Sequence, residues 1–172
     1  MITDLDLARL CAQTYSQPCH GIVHSHGVVH YQIHEIDGQT ILAIQGTKNR
    51  AQILADLCTL PRRSRAGWWS HGGFLAAAEA LEPMVLRHLS RLDLIIGHSL
   101  GAAVSVDLGG LLVESRPASS FRIVGFGCPR VGMAGLRTAV KDVDIVSLRR
   151  MPRGSVFPDG SISPSLKGSV AS

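Results

Sequence analysis

A single serine stands at the centre of the stretch Leu94-Ile95-Ile96-Gly97-His98-Ser99-Leu100-Gly101-Ala102-Ala103. A free serine hydroxyl is a poor nucleophile. To attack a carbonyl it needs a base within hydrogen-bond reach and donors for the oxyanion that forms. An apolar strand turning abruptly into a helix meets part of that demand. It exposes the hydroxyl at the strand end and aims the free N–H groups and dipole of the helix at the same place. Such a turn forces the serine into a strained backbone conformation, so its neighbours two residues away must be small, as Gly97 and Gly101 are. Ala102 and Ala103 allow that helix to lie close to the sheet. The alternative is a serine that caps a helix in a nucleotide-binding fold, but no glycine-rich phosphate loop with a lysine accompanies it.

The elements that must position this serine follow from periodicity. Residues 3–15 have helical spacing (Leu5, Leu7, Ala8, Leu10, Cys11, Tyr15), with Thr3 as the cap. VVHYQIHEI and QTILAIQ flank Asp37-Gly38, a strong hairpin signal, because a type I′ turn needs positive φ at both central positions. Residues 50–58 read as a short helix closed by Pro61, and residues 74–91 as a longer helix that Pro83 kinks or breaks. LDLII, FRIVGFG and VDIVSLR are apolar strands, separated by helices over 100–114 and 133–141. Strand and helix thus alternate from residue 92, the pattern of a parallel sheet covered on both faces. The last 22 residues, from Met151, include 12 Gly, Ser or Pro and show no periodicity. The expected organisation is one α/β domain over residues 1–150 and a loop-like or disordered tail over 151–172.

Taken together, GHSLGAA, His71-Gly72-Gly73-Phe74 and FGCPRVG at 126–132 resemble the class 3 (fungal-type) lipase family of α/β-hydrolases. AIQGT at 43–47 and ILADL at 53–57 are similar to that family's oxyanion strand and the stretch after it. The resemblance covers roughly residues 5–150. It implies an α/β-hydrolase fold with a mostly parallel sheet, flanking helices, an N-terminal antiparallel hairpin and an incomplete C-terminal part. It also implies ester or lipid hydrolysis, with Ser99 as nucleophile and an oxyanion hole from the backbone N–H groups of Leu100 and Thr47. The segment 48–60 takes the place of the family's lid. Gln45 stands where the family has arginine, which is expected to loosen the oxyanion loop.

The remaining catalytic groups depart from the family. In this fold the chain order is Ser, then Asp, then His, yet all eight histidines lie at or before residue 98. His98 is next to the serine but should point away from it, as structural support. His71 matches the family's HxGF histidine and is the substitute base. Asp144 starts its strand, at the wrong end of the sheet. Asp159 is the nearest carboxylate on the correct side and is the acid to test against a plain turn role in Pro158-Asp159-Gly160. Two explanations fit: a truncated or frameshifted chain, or a chain that has lost its hydrolytic machinery. A degenerate hydrolase-fold module that binds a lipid or protein partner is therefore the alternative to an active esterase, and acyl transfer on the same serine is a third.

His24, His26, His30 and His34 fall at even spacing, which would line them on one strand face. A flat face spreads side chains apart, so an exposed polar surface is expected rather than a metal site. The four cysteines include no CxxC pair. Free thiols, no zinc site and no cofactor are expected. The net charge of +4 comes mostly from arginine, with Arg62, Arg63 and Arg65 in one cluster and Arg149, Arg150 and Arg153 in another. With 4 Phe, 2 Trp and 2 Tyr in the chain, no aromatic interleaving supports nucleic-acid binding, and solvated loops are expected. The acidic, amphipathic N-terminus lacks the basic start and apolar block of a secretory signal, and no apolar run is long enough to span a bilayer. A cytoplasmic protein with at most transient contact with a lipid surface is expected.

Overall fold

Thr3 opens the first helix, α1 (Asp4–Ser16), through a reciprocal capping box. The Asp6 N–H donates to the Thr3 hydroxyl oxygen at 3.2 Å, and the Thr3 N–H donates to the Asp6 carboxylate at 3.1 Å. The structure, a computed structural model, describes residues 2–46, 60–117, 120–129 and 135–148. After α1 come β1 (His20–His24), β2 (Gly27–Ile36) and β3 (Gln39–Ile44). A small hairpin, β4 (Pro61–Arg63) and β5 (Trp69–His71), precedes α2 (Gly72–His88). Then β6 (Leu94–His98), α3 (Leu100–Ser115), β7 (Arg122–Phe126), α4 (Leu136–Ala139) and β8 (Asp144–Leu148) alternate.

Among the described residues the main sheet has six strands in the order β1-β2-β3-β6-β7-β8. β1, β2 and β3 pair antiparallel, while β3, β6, β7 and β8 run parallel. Both faces of its centre are covered, as the apolar strands require. On one face α1 packs Leu7, Ala8 and Cys11 against Ile41, Ile96, Val124 and Phe126. On the other, α2 and α3 pack Phe74, Leu81, Leu108 and Leu111 against Leu42, Ile44, Ile95 and Ile123. This is an α/β-hydrolase-like arrangement. The β2–β3 turn is the one the sequence indicates, with Asp37 at φ 52 and Gly38 at φ 72. No helix among the described residues is long and apolar enough to cross a membrane.

Several expectations need correction. α2 runs through Pro83 without ending, because its flanking residues Leu81, Glu82, Met84 and Val85 are all buried and hold the helix by packing. The proline itself faces solvent, so its ring meets no core neighbour. β1 and the β4–β5 hairpin have too little apolar periodicity to be read from sequence. The histidines do not share one face. His24 pairs with Gly27 and His30 with Gly21 across the β1–β2 ribbon, so the tight turn at Ser25-His26 sends His24 and His30 to opposite faces. Arg62 and Arg65 are not plain solvated charges: Arg62 pairs with Glu79, and Arg65 with Glu82 and Glu114. The expected helix at 50–58, the lid segment and the tail over 151–172 lie outside the described residues.

Candidate active site

β6 delivers the chain to Ser99, where the backbone adopts φ 53 and ψ −119 before α3 begins. Serine visits positive φ only at a cost of about 1–3 kcal/mol, so the surrounding contacts must impose it. They do so from three sides. The Ser99 N–H donates to the Phe126 carbonyl oxygen at 2.8 Å. The Ser99 carbonyl oxygen accepts from Ala102 and Ala103 N–H at 3.0 and 3.3 Å. Gly97 and Gly101 touch backbone to backbone: a Cβ on Gly97 would stand 2.4 Å from the Gly101 carbonyl carbon, and one on Gly101 2.3 Å from the Ile44 oxygen. The Ser99 side chain makes no capping hydrogen bond to α3.

The N-terminus of a 16-residue helix lies at this turn, with Leu100 first and no acidic residue in the first turn. Its unsatisfied N–H groups favour negative charge. Beside it runs the end of β3, since Ile44 is in register with Gly97. Gly46 lies so close that a Cβ there would be 2.4 Å from both the His98 carbonyl oxygen and the Tyr15 hydroxyl. Gln45, expected to loosen this strand end, instead fastens it. Its buried side chain donates through Nε2 to the Thr14 carbonyl oxygen of α1, and its N–H donates to the His30 carbonyl oxygen at 2.9 Å. Thr47 lies outside the described residues.

His98 points away from Ser99 as expected: its Nδ1 is 2.9 Å from the Tyr15 hydroxyl of α1. His71 is the N-cap of α2, with its ring against Phe74 at a centroid distance of 4.3 Å. Both its ring nitrogens are buried without a hydrogen-bond partner, a costly state for a group that lacks a role. His71 borders a cavity of about 610 Å³ that also reaches Gln45, Gly46 and Leu100. Asp144 sits at the far end of its strand, paired with Arg122 at 3.0 Å. Asp159 lies outside the described residues. Among the described residues no group of three or more His, Cys, Asp or Glu is placed to hold a metal ion, and Cys11, Cys19 and Cys128 are free thiols.

Sequence reasoning missed one ionisable group, Asp107. It is fully buried on α3, two turns past Ser99, and accepts from the Ser70 hydroxyl at 2.7 Å through Oδ2, while Oδ1 has no partner. Burial raises its pKa to about 7, opposed by the Ser70 hydroxyl and the nearby Trp68 indole. Burial and the Asp107 charge together push the Cys128 thiol up to about 12. The only sequence signal was a lone carboxylate within the apolar run AAVSVDLGGLL.

The class 3 lipase family model matches residues 41–153, which include β3, the turn at Ser99 and the strands after it. The chain belongs to the class 3 lipase family. Solved structures agree on the fold. The Rhizomucor miehei lipase in its propeptide complex superposes with a TM-score of 0.64 at 18% identity, over 81% of this chain and 56% of that one. A triacylglycerol lipase described as having a serine protease triad gives 0.63 at 18% identity, over 82% and 66%. A Yarrowia lipolytica lipase gives 0.58 at 18% identity, over 86% and 69%. The chain spans little more than half the length of the first of these. No curated protein sequence matches it.

Proposed function

We propose that this chain is a serine ester hydrolase that cleaves carboxylic esters, lipid esters among them, through an acyl-enzyme on Ser99. The observation that carries the reading is the serine held at φ 53 with no capping bond, at the N-terminus of a long helix. In this reading the Ser99 Oγ bonds to the ester carbonyl carbon as its proton passes to the base. The carbonyl oxygen becomes an oxyanion held by the Leu100 and Thr47 N–H groups. Collapse breaks the bond to the leaving alkoxide, which takes the proton back. Water then repeats the sequence to release the acid. Within these residues the base is His71, whose ring nitrogens have no other partner, and Asp159 is the acid that would orient it.

Fluorophosphonate labelling tests the proposal. Wild type should form a covalent adduct, Ser99→Ala should form none, and His71→Gln should label more slowly by about two orders of magnitude. Equal hydrolysis of a 4-nitrophenyl ester by wild type and Ser99→Ala would end the reading. The second reading is a module that binds a lipid or protein without turnover. It requires that no adduct form.

A further inference from the structure

We propose that Gln45 is a positioning residue for the oxyanion side of the elbow: bonded to the last turn of α1, it sets where the end of β3 stands against the first turn of α3. The inference rests on the hydrolase reading of Ser99 and names a residue which that chemistry needs. Here β3 and α3 meet backbone to backbone. A Cβ on Gly101 would stand 2.3 Å from the Ile44 carbonyl oxygen and 2.9 Å from the carbonyl carbon and oxygen of Gln45. No side chain cushions that contact, so a shift at Gln45 is passed to the helix that begins with Leu100. Gly46 is as closely enclosed, between the His98 carbonyl oxygen and the Tyr15 hydroxyl. Gln45, Gly46 and Leu100 border the same cavity. Thr47, whose N–H joins that of Leu100 in the hydrolase reading, follows Gly46 in the chain.

β3 is in register with β6 up to Ile44 and Gly97. On its other side the Gln45 N–H donates to the His30 carbonyl oxygen at 2.9 Å. Past those pairs the strand end is fastened by a side chain. Gln45 is 7% exposed, and its Nε2 donates to the Thr14 carbonyl oxygen. Thr14 lies in the last turn of α1, where a helix leaves its carbonyl groups without an intrahelical partner. The same oxygen also accepts from the Cys19 thiol at 3.1 Å. A buried amide donor is costly unless paired, and this pairing spans the sheet. α1 covers one face and α3 the other. α3 presses on the Ile44–Gln45 backbone while α1 holds the Gln45 side chain. Oxyanion donors act at about 2.7–3.1 Å from the developing charge, so a loosened strand end costs rate more than it costs substrate affinity.

The test compares ethyl hexanoate with O-ethyl thionohexanoate, which carries sulfur in place of the carbonyl oxygen. Sulfur is larger and a weaker acceptor, so donors placed for an oxyanion favour the oxygen ester. The ratio of the two kcat/KM values therefore reads their placement. Gln45→Met keeps the length of the side chain and removes its donor. It should lower the ratio by about tenfold or more, through kcat for the oxygen ester, with KM within about twofold of wild type. Gln45→Arg returns a donor and should restore the ratio to within about threefold of wild type. Gln45→Asn keeps an amide but is shorter by a methylene. It should behave as Gln45→Met does, and it serves if the Met variant fails to fold. Rates that fall in step for both esters, with the ratio unchanged, would assign Gln45 to stability alone and overturn the proposal. A wild-type ratio that survives in Gln45→Met and Gln45→Asn would remove this role and leave the hydrolase reading standing. If wild type hydrolyses neither ester and Ser99 takes no fluorophosphonate, the hydrolase reading falls and the role of Gln45 with it.

Discussion

Ser99, Gly97 and Gly101 form one steric unit. The serine keeps φ 53 because the two glycines let α3 and the end of β3 close on it from either side. Gly97→Ala should therefore open the elbow and cost about 1–3 kcal/mol, read as a lower melting temperature and slower fluorophosphonate labelling. Asp107 makes a prediction of opposite character. Its carboxyl keeps its proton to about pH 7 in the fold, against 3.8 when exposed. Between those values the unfolded chain is ionised while the folded one is still protonated. Its contribution to stability is thus full below about pH 4, declines by ~1.4 kcal/mol per pH unit through the window to about 7, and is level above it. Asp107→Asn keeps an acceptor for Ser70 and removes the titration. Urea unfolding from pH 4 to pH 8 should show a shallower fall in the variant, which becomes the more stable protein at the alkaline end.

Among the elements, the β4–β5 hairpin is fastened by charge as well as by the buried Trp68 of its turn. Its Arg65 guanidinium binds Glu82, whose side chain is only 3% exposed, and Ser115 supports the same carboxylate at 2.7 Å. Arg65→Ala leaves that buried carboxylate with the serine alone, and a loss of about 1–2 kcal/mol is expected. Faster hydrogen exchange confined to residues 61–71 would identify the hairpin as the part that loosens. α2 offers the converse case. Pro83 faces solvent inside a helix that continues past it, so the Glu79 carbonyl oxygen receives no helical N–H from it. Pro83→Ala restores that donor without removing a packed side chain. It should stabilise the protein by about 1 kcal/mol or more in denaturant unfolding.

For the molecule as a whole, stability is graded from the sheet centre outward. Ile41, Leu42, Ala43, Ile44, Ile95 and Ile96 are fully buried between α1 on one side and α2 with α3 on the other. Among the described residues β1 and β8 are the outermost strands, with exposed or half-exposed residues throughout. Amide exchange in β3 and β6 should be slower than in β1 and β8 by at least about two orders of magnitude. The elbow sits on the slow side of that gradient, where a strained residue is held most firmly, and the histidine tip of β1–β2 on the fast side.

Local rules were enough for the parallel strands, the Asp37-Gly38 turn, the Thr3 cap and the elbow at Ser99. Each follows from periodicity, from the φ that a turn demands, or from the small residues a close approach requires, and these act over a few positions of sequence. The family resemblance was legible because those local signals occur in a fixed order. Other features depended on partners distant in the chain. Gln45 fastens the end of β3 only because Thr14 of α1 lies beneath it, and Arg65 is fixed only because Glu82 and Glu114 come from two different helices. Asp107 acquires its raised pKa from burial that its neighbours in sequence do not set. The meeting of His71, the hairpin histidines and Leu100 around one cavity likewise required the tertiary fold, because desolvation and long-range pairing are properties of packed surfaces and not of spacing along the chain.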